Sequence, residues 1–236
     1  MTLFPLLPAL DVAGLITFVA LWAGYTITAD RLTVGGLSLF AATARHRRTW
    51  MRNLCDRDAR VADSALLGNL MRSVSFFASA SVLILGGLVA LLGAGERAYA
   101  VIQDLPLVAE SGRGIFETKV VILAGVFVYA FFQITWSLRQ FNYCCVLLGA
   151  APMPEAEATV KDTYAQHAGR LNALAAHSFN RGLRAYYFAL AMMTWFIHAG
   201  VMVVATLVVV AVLYRREFRS KTLRALDAAL PALPLL

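Results

Sequence analysis

Charge is scarce in this chain. Of its 236 residues only 15% are Asp, Glu, Lys or Arg, against about 25% in an ordinary soluble domain. Cysteine is also rare: Cys55 stands alone and Cys144-Cys145 are adjacent, which gives neither a zinc-type Cys-x-x-Cys spacing nor a disulfide framework. The four histidines, His46, His167, His177 and His198, are far apart in sequence. There is no glycine-rich phosphate loop, no His-Glu-x-x-His, no Gly-x-Ser-x-Gly and no paired carboxylates in an apolar setting. These absences argue against an enzyme, and they lead us to expect no metal and no cofactor. No Lys or Arg precedes Arg31, so the N-terminus lacks the basic region of a secretory signal.

What the chain has in abundance is apolar sequence. Hydrophobic residues make up 60% and the mean hydropathy is +0.68. A bilayer core about 30 Å thick needs about 20 mainly apolar residues per helical crossing. Four stretches satisfy this, at about 9–29, 64–94, 119–149 and 185–214. They are continuous runs of Leu, Ala, Val and Phe rather than the alternating strands of a membrane barrel. Helices therefore have to satisfy the backbone inside lipid. The expected fold is all-α: one integral membrane four-helix bundle with helical cytoplasmic extensions. The last three stretches exceed the lipid core in length and should tilt or continue beyond it.

Orientation follows from Lys and Arg. Loop 1 (30–63) carries seven and loop 3 (139–184) five, against three in loop 2 (95–119) and five in the tail (215–236). This favours the bacterial cytoplasmic membrane with the N-terminus outside and loops 1 and 3 in the cytoplasm. Four crossings then leave a basic tail outside, which conflicts with its charge. A break near His198-Ala199-Gly200 would return it, but each arm of the fourth stretch would be short for a span.

In loop 1, Gly35-Gly36 should break the chain and Ser38 should cap a helix. Leu39, Phe40, Trp50, Met51 and Leu54 lie opposite Arg45, Arg47, Arg48 and Arg52. Two readings stay open: an amphipathic helix in the membrane interface, attracted to anionic lipid, or a helix packed on the protein. Pro152-Met153-Pro154 predicts a turn, followed by one helix over 155–184 that can run into the fourth stretch. Gly112-Arg113-Gly114 reads as a turn. The net charge of +7 is explained by orientation, so no nucleic-acid partner is expected.

Polar residues fall in stripes at helical spacing. Gly68, Arg72, Ser75, Ser79 and Gly86 share one face, and Gly68, Ser75, Ser79 and Gly86 on it are small enough for close helix packing. Gln133, Ser137, Gln140 and Cys144 share another, and Asn180, Arg184, Tyr187, Thr194 and His198 a third. Such faces should turn toward each other. Arg72, Arg139 and Arg184, with Asn69, Gln140 and Asn180, suggest a polar cytoplasmic vestibule or a site for an anion or lipid phosphate; the alternative is arginines that snorkel or bond carbonyls. His198 could relay protons or bind haem, or simply bond a neighbouring helix. The cysteines read as free thiols, with a redox or palmitoylation role for Cys144-Cys145 as the alternative to ordinary burial.

Gly24-Tyr25 to Asp30, Arg45-His46-Arg47-Arg48 with Trp50, and the segments 62–79, 117–152, 176–198 and 213–220 together make the chain resemble a family of bacterial and plant membrane proteins, domain of unknown function 599. The resemblance implies a multi-pass membrane protein and no activity. Function is expected to be channel- or transporter-like, with the vestibule at its centre. The alternative is a non-catalytic membrane subunit or scaffold that binds a partner complex or anionic lipid. The bilayer is the expected partner, with a homo-oligomer or a membrane complex beside it.

Overall fold

The computed structural model describes residues 7–34, 38–96, 99–100 and 112–229; the Gly35-Gly36 break and Arg97 lie outside them. Among the described residues all regular structure is helical. The order is α1 (Ala9–Val34), α2 (Leu39–Leu54), α3 (Val61–Gly93), α4 (Arg113–Gly149), α5 (Ala158–Met193), a 3-10 turn (Thr194–Phe196), α6 (Ala199–Phe218) and α7 (Lys221–Ala228). The all-α expectation is met. Among the described residues four helical segments, Ala9–Leu32, Val61–Gly93, Arg113–Gly149 and Ala199–Ala228, are long and apolar enough to cross a membrane.

Local chemistry explains the helix ends. Asp11 sits in the first turn of α1 and Arg31 in its last, each sign matching the helix dipole. Ser38 caps α2 as expected, its Oγ accepting from the Ala41 N–H at 3.1 Å. Ser220 caps α7 in the same way at Leu223. Helices α3, α4 and α5 have 33, 37 and 36 residues, or about 50–55 Å each at 1.5 Å per residue. The expected turn is present but lies slightly later, over residues 153–156, closed by the Ala156 N–H on the Met153 carbonyl at 3.0 Å; α5 starts at Ala158 rather than 155 and does run from loop 3 into the fourth apolar stretch.

Two expectations are corrected. Arg113 and Gly114 begin α4 rather than forming a turn. The stretch 185–214 is not one rod but the end of α5, a break, and α6. The reasons are local. Thr194 turns its hydroxyl back onto the Ala191 carbonyl at 2.7 Å, competing with the helix ladder. The Trp195 carbonyl is taken by Lys119 Nζ at 3.2 Å. His198 Nδ1 then accepts the Gly200 N–H at 3.0 Å, capping α6. Gly200 suits that geometry, since a Cβ there would lie 3.1 Å from the same nitrogen.

The chain forms two compact units, and α1, α3, α4, α5 and α6 contribute to both. The first (1–28, 79–132, 182–213) has an aromatic core. Phe18 and Phe188 are fully buried and meet edge to face at 6.0 Å. Trp22 stacks on Phe188 at 5.6 Å, and Ser81 and Tyr186 share a 2.7 Å hydrogen bond. Gly14 lets α1 approach the start of α6 closely: a Cβ there would lie 3.1 Å from Ala199 Cβ.

The second unit (29–78, 133–181, 214–236) centres on Met51, Leu54, Ala151, Ala165 and Ala168. Here α2 packs on the protein. Arg47 donates to Asn172 Oδ1 of α5, Arg45 pairs with Asp227 of α7, and His46 Nε2 bonds the Leu226 carbonyl at 2.9 Å. The Phe40 N–H donates to Glu217 at 3.0 Å. The packing expected in one of the two readings of the amphipathic helix is present: α2 docks on the protein. The contact with α5 is backbone-close at Gly169, where a Cβ would lie 2.9 Å from Arg48 Cα.

Candidate functional site

Within the second unit, a cleft of about 470 Å³ opens between α2 and the start of α3. Thr43, His46, Arg47 and Trp50 line it from α2, and Leu66, Asn69, Leu70 and Ser73 from α3. Among the described residues no carboxylate lines it. The neighbouring Asp63 is buried and engaged, accepting from Trp50 Nε1 at 2.6 Å and pairing with Arg57. Burial pushes the Arg47 guanidinium below its ordinary range, with the nearby Cys144 opposing.

Elsewhere in the second unit, other cations are tied into the fold. Arg52 bonds Asp162 at 2.6 Å and Asp56 at 2.7 Å. Lys161, with Arg52 helping, holds the Asp56 carboxyl below the usual carboxylate range. Arg60 donates to the carbonyls of Ala151 and Pro152, fastening the end of loop 1 to the turn after α4. Tyr164 donates to the Leu147 carbonyl at 2.9 Å, and burial pushes its phenol up to about 12.

The first unit holds a different polar cluster. Asp11, Lys119 and Trp195 are buried together. Lys119 Nζ lies 3.4 Å from Asp11 Oδ2, and Trp195 Nε1 donates to Asp11 Oδ1 at 2.8 Å. Lys119 also sits 5.2 Å from the Trp195 ring centroid. A charged pair in an apolar segment is kept only when each charge is answered, and here the break after α5 supplies part of the answer. Sequence reasoning misses this cluster. Its signal is two isolated opposite charges, the third residue of α1 and the seventh of α4, at ends assigned to the same side.

The predicted stripes are distributed as follows. Ser137 donates to the Ala175 carbonyl at 2.7 Å and Gln140 accepts from Ser178 at 2.9 Å, so these residues join α4 to α5. Arg72 is exposed and donates to Asn69. Arg139 is exposed and bonds its own-helix Tyr143 at 2.8 Å. Arg184 is buried, its guanidinium 5.7 Å from the Tyr25 ring centroid. Gln133 and Asn180 are half-buried, and His198 is an exposed helix cap. Of the expected vestibule residues, the cleft takes in Asn69 alone. A Cβ on Gly86 would meet nothing within 4 Å and one on Gly68 only Arg72; Ser75 is half-buried and Ser79 exposed. The close approaches fall instead at Gly14 and Gly169.

Cys55 and Cys144 are buried free thiols and Cys145 an exposed one. Among the described residues no group of three His, Cys, Asp or Glu side chains could hold a metal.

Long apolar helices with large lipid-compatible surfaces (Leu83 is 78% exposed and Val146 70%) define a multi-pass helical membrane protein. The chain belongs to the family described as "Protein of unknown function, DUF599", whose model matches residues 13–222. No curated protein and no solved structure matches it.

Proposed function

We propose that the chain is a non-catalytic protein of the bacterial cytoplasmic membrane whose basic cytoplasmic face engages anionic lipid. The observation that carries this is the seating of α7 on α2 through Arg45–Asp227 and His46–Leu226. It supports a tail on the same side as loop 1. The basic loops 1 and 3 and the basic tail then share the cytoplasm, as the positive-inside rule favours.

An odd number of crossings follows. The fifth is the apolar end of α5, with the break at Thr194–Phe196 as the outer turn. Helix α6 has 20 residues, about 30 Å, enough for the lipid core. The α6 arm is long enough, since it continues to Phe218; the α5 arm is apolar only over residues 185–196, about 18 Å, and completes the crossing by drawing Asn180, Arg181 and Arg184 into the bilayer.

The topology is tested with Ser220→Cys in a background lacking Cys55, Cys144 and Cys145. An impermeant thiol reagent should label it only from the cytoplasmic side, and labelling from outside would reverse the assignment. The function is tested by extracting the protein with its surrounding lipid in polymer-bounded discs. Anionic phospholipid should be enriched over the bulk membrane; bulk composition in the discs would sink the reading.

A transport reading has one observation in its favour, the buried Asp11–Lys119 pair beside a helix break: ionisable residues within spans mark ion pathways, and interrupted helices form transporter binding sites. Ion flux in proteoliposomes that Lys119→Met abolishes would carry it. The vestibule version predicts the same loss from Arg72→Ala and Arg184→Ala.

A further inference from the structure

The geometry points to the cleft between α2 and the start of α3 as the seat of one anionic phospholipid, its phosphate on Arg47 and Asn69 and its acyl chains along α3. This rests on the anionic-lipid reading above.

The chemistry of the wall selects the ligand. Arg47 spends one N–H on Asn172, and its guanidinium has further donors in a fork that matches a phosphate. That partner is a neutral amide, not a carboxylate. Asn69 takes the Arg72 guanidinium on its Oδ1, which leaves its amide N–H groups for an acceptor and brings a second positive charge beside it. Trp50 donates its N–H to Asp63 and presents only its ring. Of the carboxylates packed near α2, Asp63 takes Arg57 on Oδ1 while its Oδ2 is buried without a hydrogen bond, Asp227 pairs with Arg45, and Glu217 accepts from the Phe40 N–H. The wall of the cleft itself carries Arg47 and, among the described residues, no acid.

The remaining wall is apolar and leads into the span. Leu66 is half exposed and Phe76, further along the same helix, is 68% exposed. Helix α3 is about 50 Å long, some 20 Å more than the lipid core. Its first turns thus lie at headgroup level while the following residues meet acyl chains. A free phosphate ion would use Arg47 and Asn69 alone; an amphiphile uses the leucines as well.

Native mass spectrometry of the full chain, titrated with dioleoylphosphatidylglycerol or dioleoylphosphatidylcholine, tests this. One phosphatidylglycerol should be retained in preference to phosphatidylcholine. Arg47→Gln should weaken that adduct by about tenfold, the scale of a lost charge-assisted hydrogen bond. Because Arg47 also braces α5, Ser73→Asp serves as a second variant on an exposed position; its carboxylate should repel the phosphate equally. Arg139→Gln, outside the cleft, should leave the adduct unchanged. Equal retention of both lipids, or displacement by inorganic phosphate alone, would overturn the assignment. If the discs show anionic enrichment but Arg47→Gln and Ser73→Asp keep the full adduct, the cleft is wrong and the general lipid reading stands. Without enrichment in the discs, that general reading falls first.

Discussion

Gly169→Ala should destabilise the protein and loosen α2, although the same change in an open helix is favourable. Alanine is preferred to glycine in a helix interior by about 1 kcal/mol. At Gly169 the new Cβ would lie 2.9 Å from Arg48 Cα and 3.3 Å from Arg48 N. Those are backbone atoms and cannot swing aside. Overpacking of this kind costs about 1–3 kcal/mol, enough to reverse the propensity gain. The strain falls one residue from Arg47, so Arg47–Asn172 and Arg45–Asp227 should weaken with it. Thermal unfolding in detergent should show a lowered midpoint. Trypsin should cut faster after Arg45, Arg47, Arg48 and Arg52, and Gly169→Leu should exaggerate both effects. The control is Gly87→Ala, where a Cβ meets nothing within 4 Å and stability should hold or rise. An unchanged midpoint and cleavage pattern for Gly169→Ala would mean that α2 is not held by this contact.

Gly169 also shows which features a sequence exposes. The apolar runs, the Ser38 cap and the continuous helix after Pro154 are legible because each is a property of neighbours along the chain. Whether a glycine is a packing surface depends on what crosses it. Gly68 and Gly86 have the spacing of a packing face and meet almost nothing, while Gly169 lies in an Ala-rich helix that gives no cue to its partner. The same limit applies to the arginines. Arg72 falls on a polar stripe and Arg139 beside one, yet both are exposed, Arg72 bonding Asn69 and Arg139 its own-helix Tyr143. The amphipathic pattern of α2 fits a membrane surface and a protein surface equally, and its docking on the protein shows only through Asn172, Glu217 and Asp227, far along the chain. The break after Met193 depends partly on Lys119, 76 residues before the Trp195 carbonyl it holds.

Asp11 and Lys119 should prove strongly coupled, and removing either alone should be among the most damaging single changes outside the core. Stripping one partner from a buried ion pair costs about 3–5 kcal/mol, chiefly because the other charge is left unanswered. Asp11→Asn keeps an oxygen for Trp195 Nε1 but leaves the Lys119 ammonium facing a neutral amide. Lys119→Met removes the cation from Asp11 and also deprives the Trp195 carbonyl of its donor, so the break between α5 and α6 should loosen. In the double variant no charge of the pair remains buried, the amide introduced at position 11 can still accept from Trp195, and the methionine fills the lysine's volume. Its stability should therefore lie well above the sum of the two single losses. A double-mutant cycle on unfolding in detergent measures the difference directly. Strictly additive losses would mean that the two charges do not answer each other, and that Lys119 is retained only as the donor to the carbonyl at the helix break.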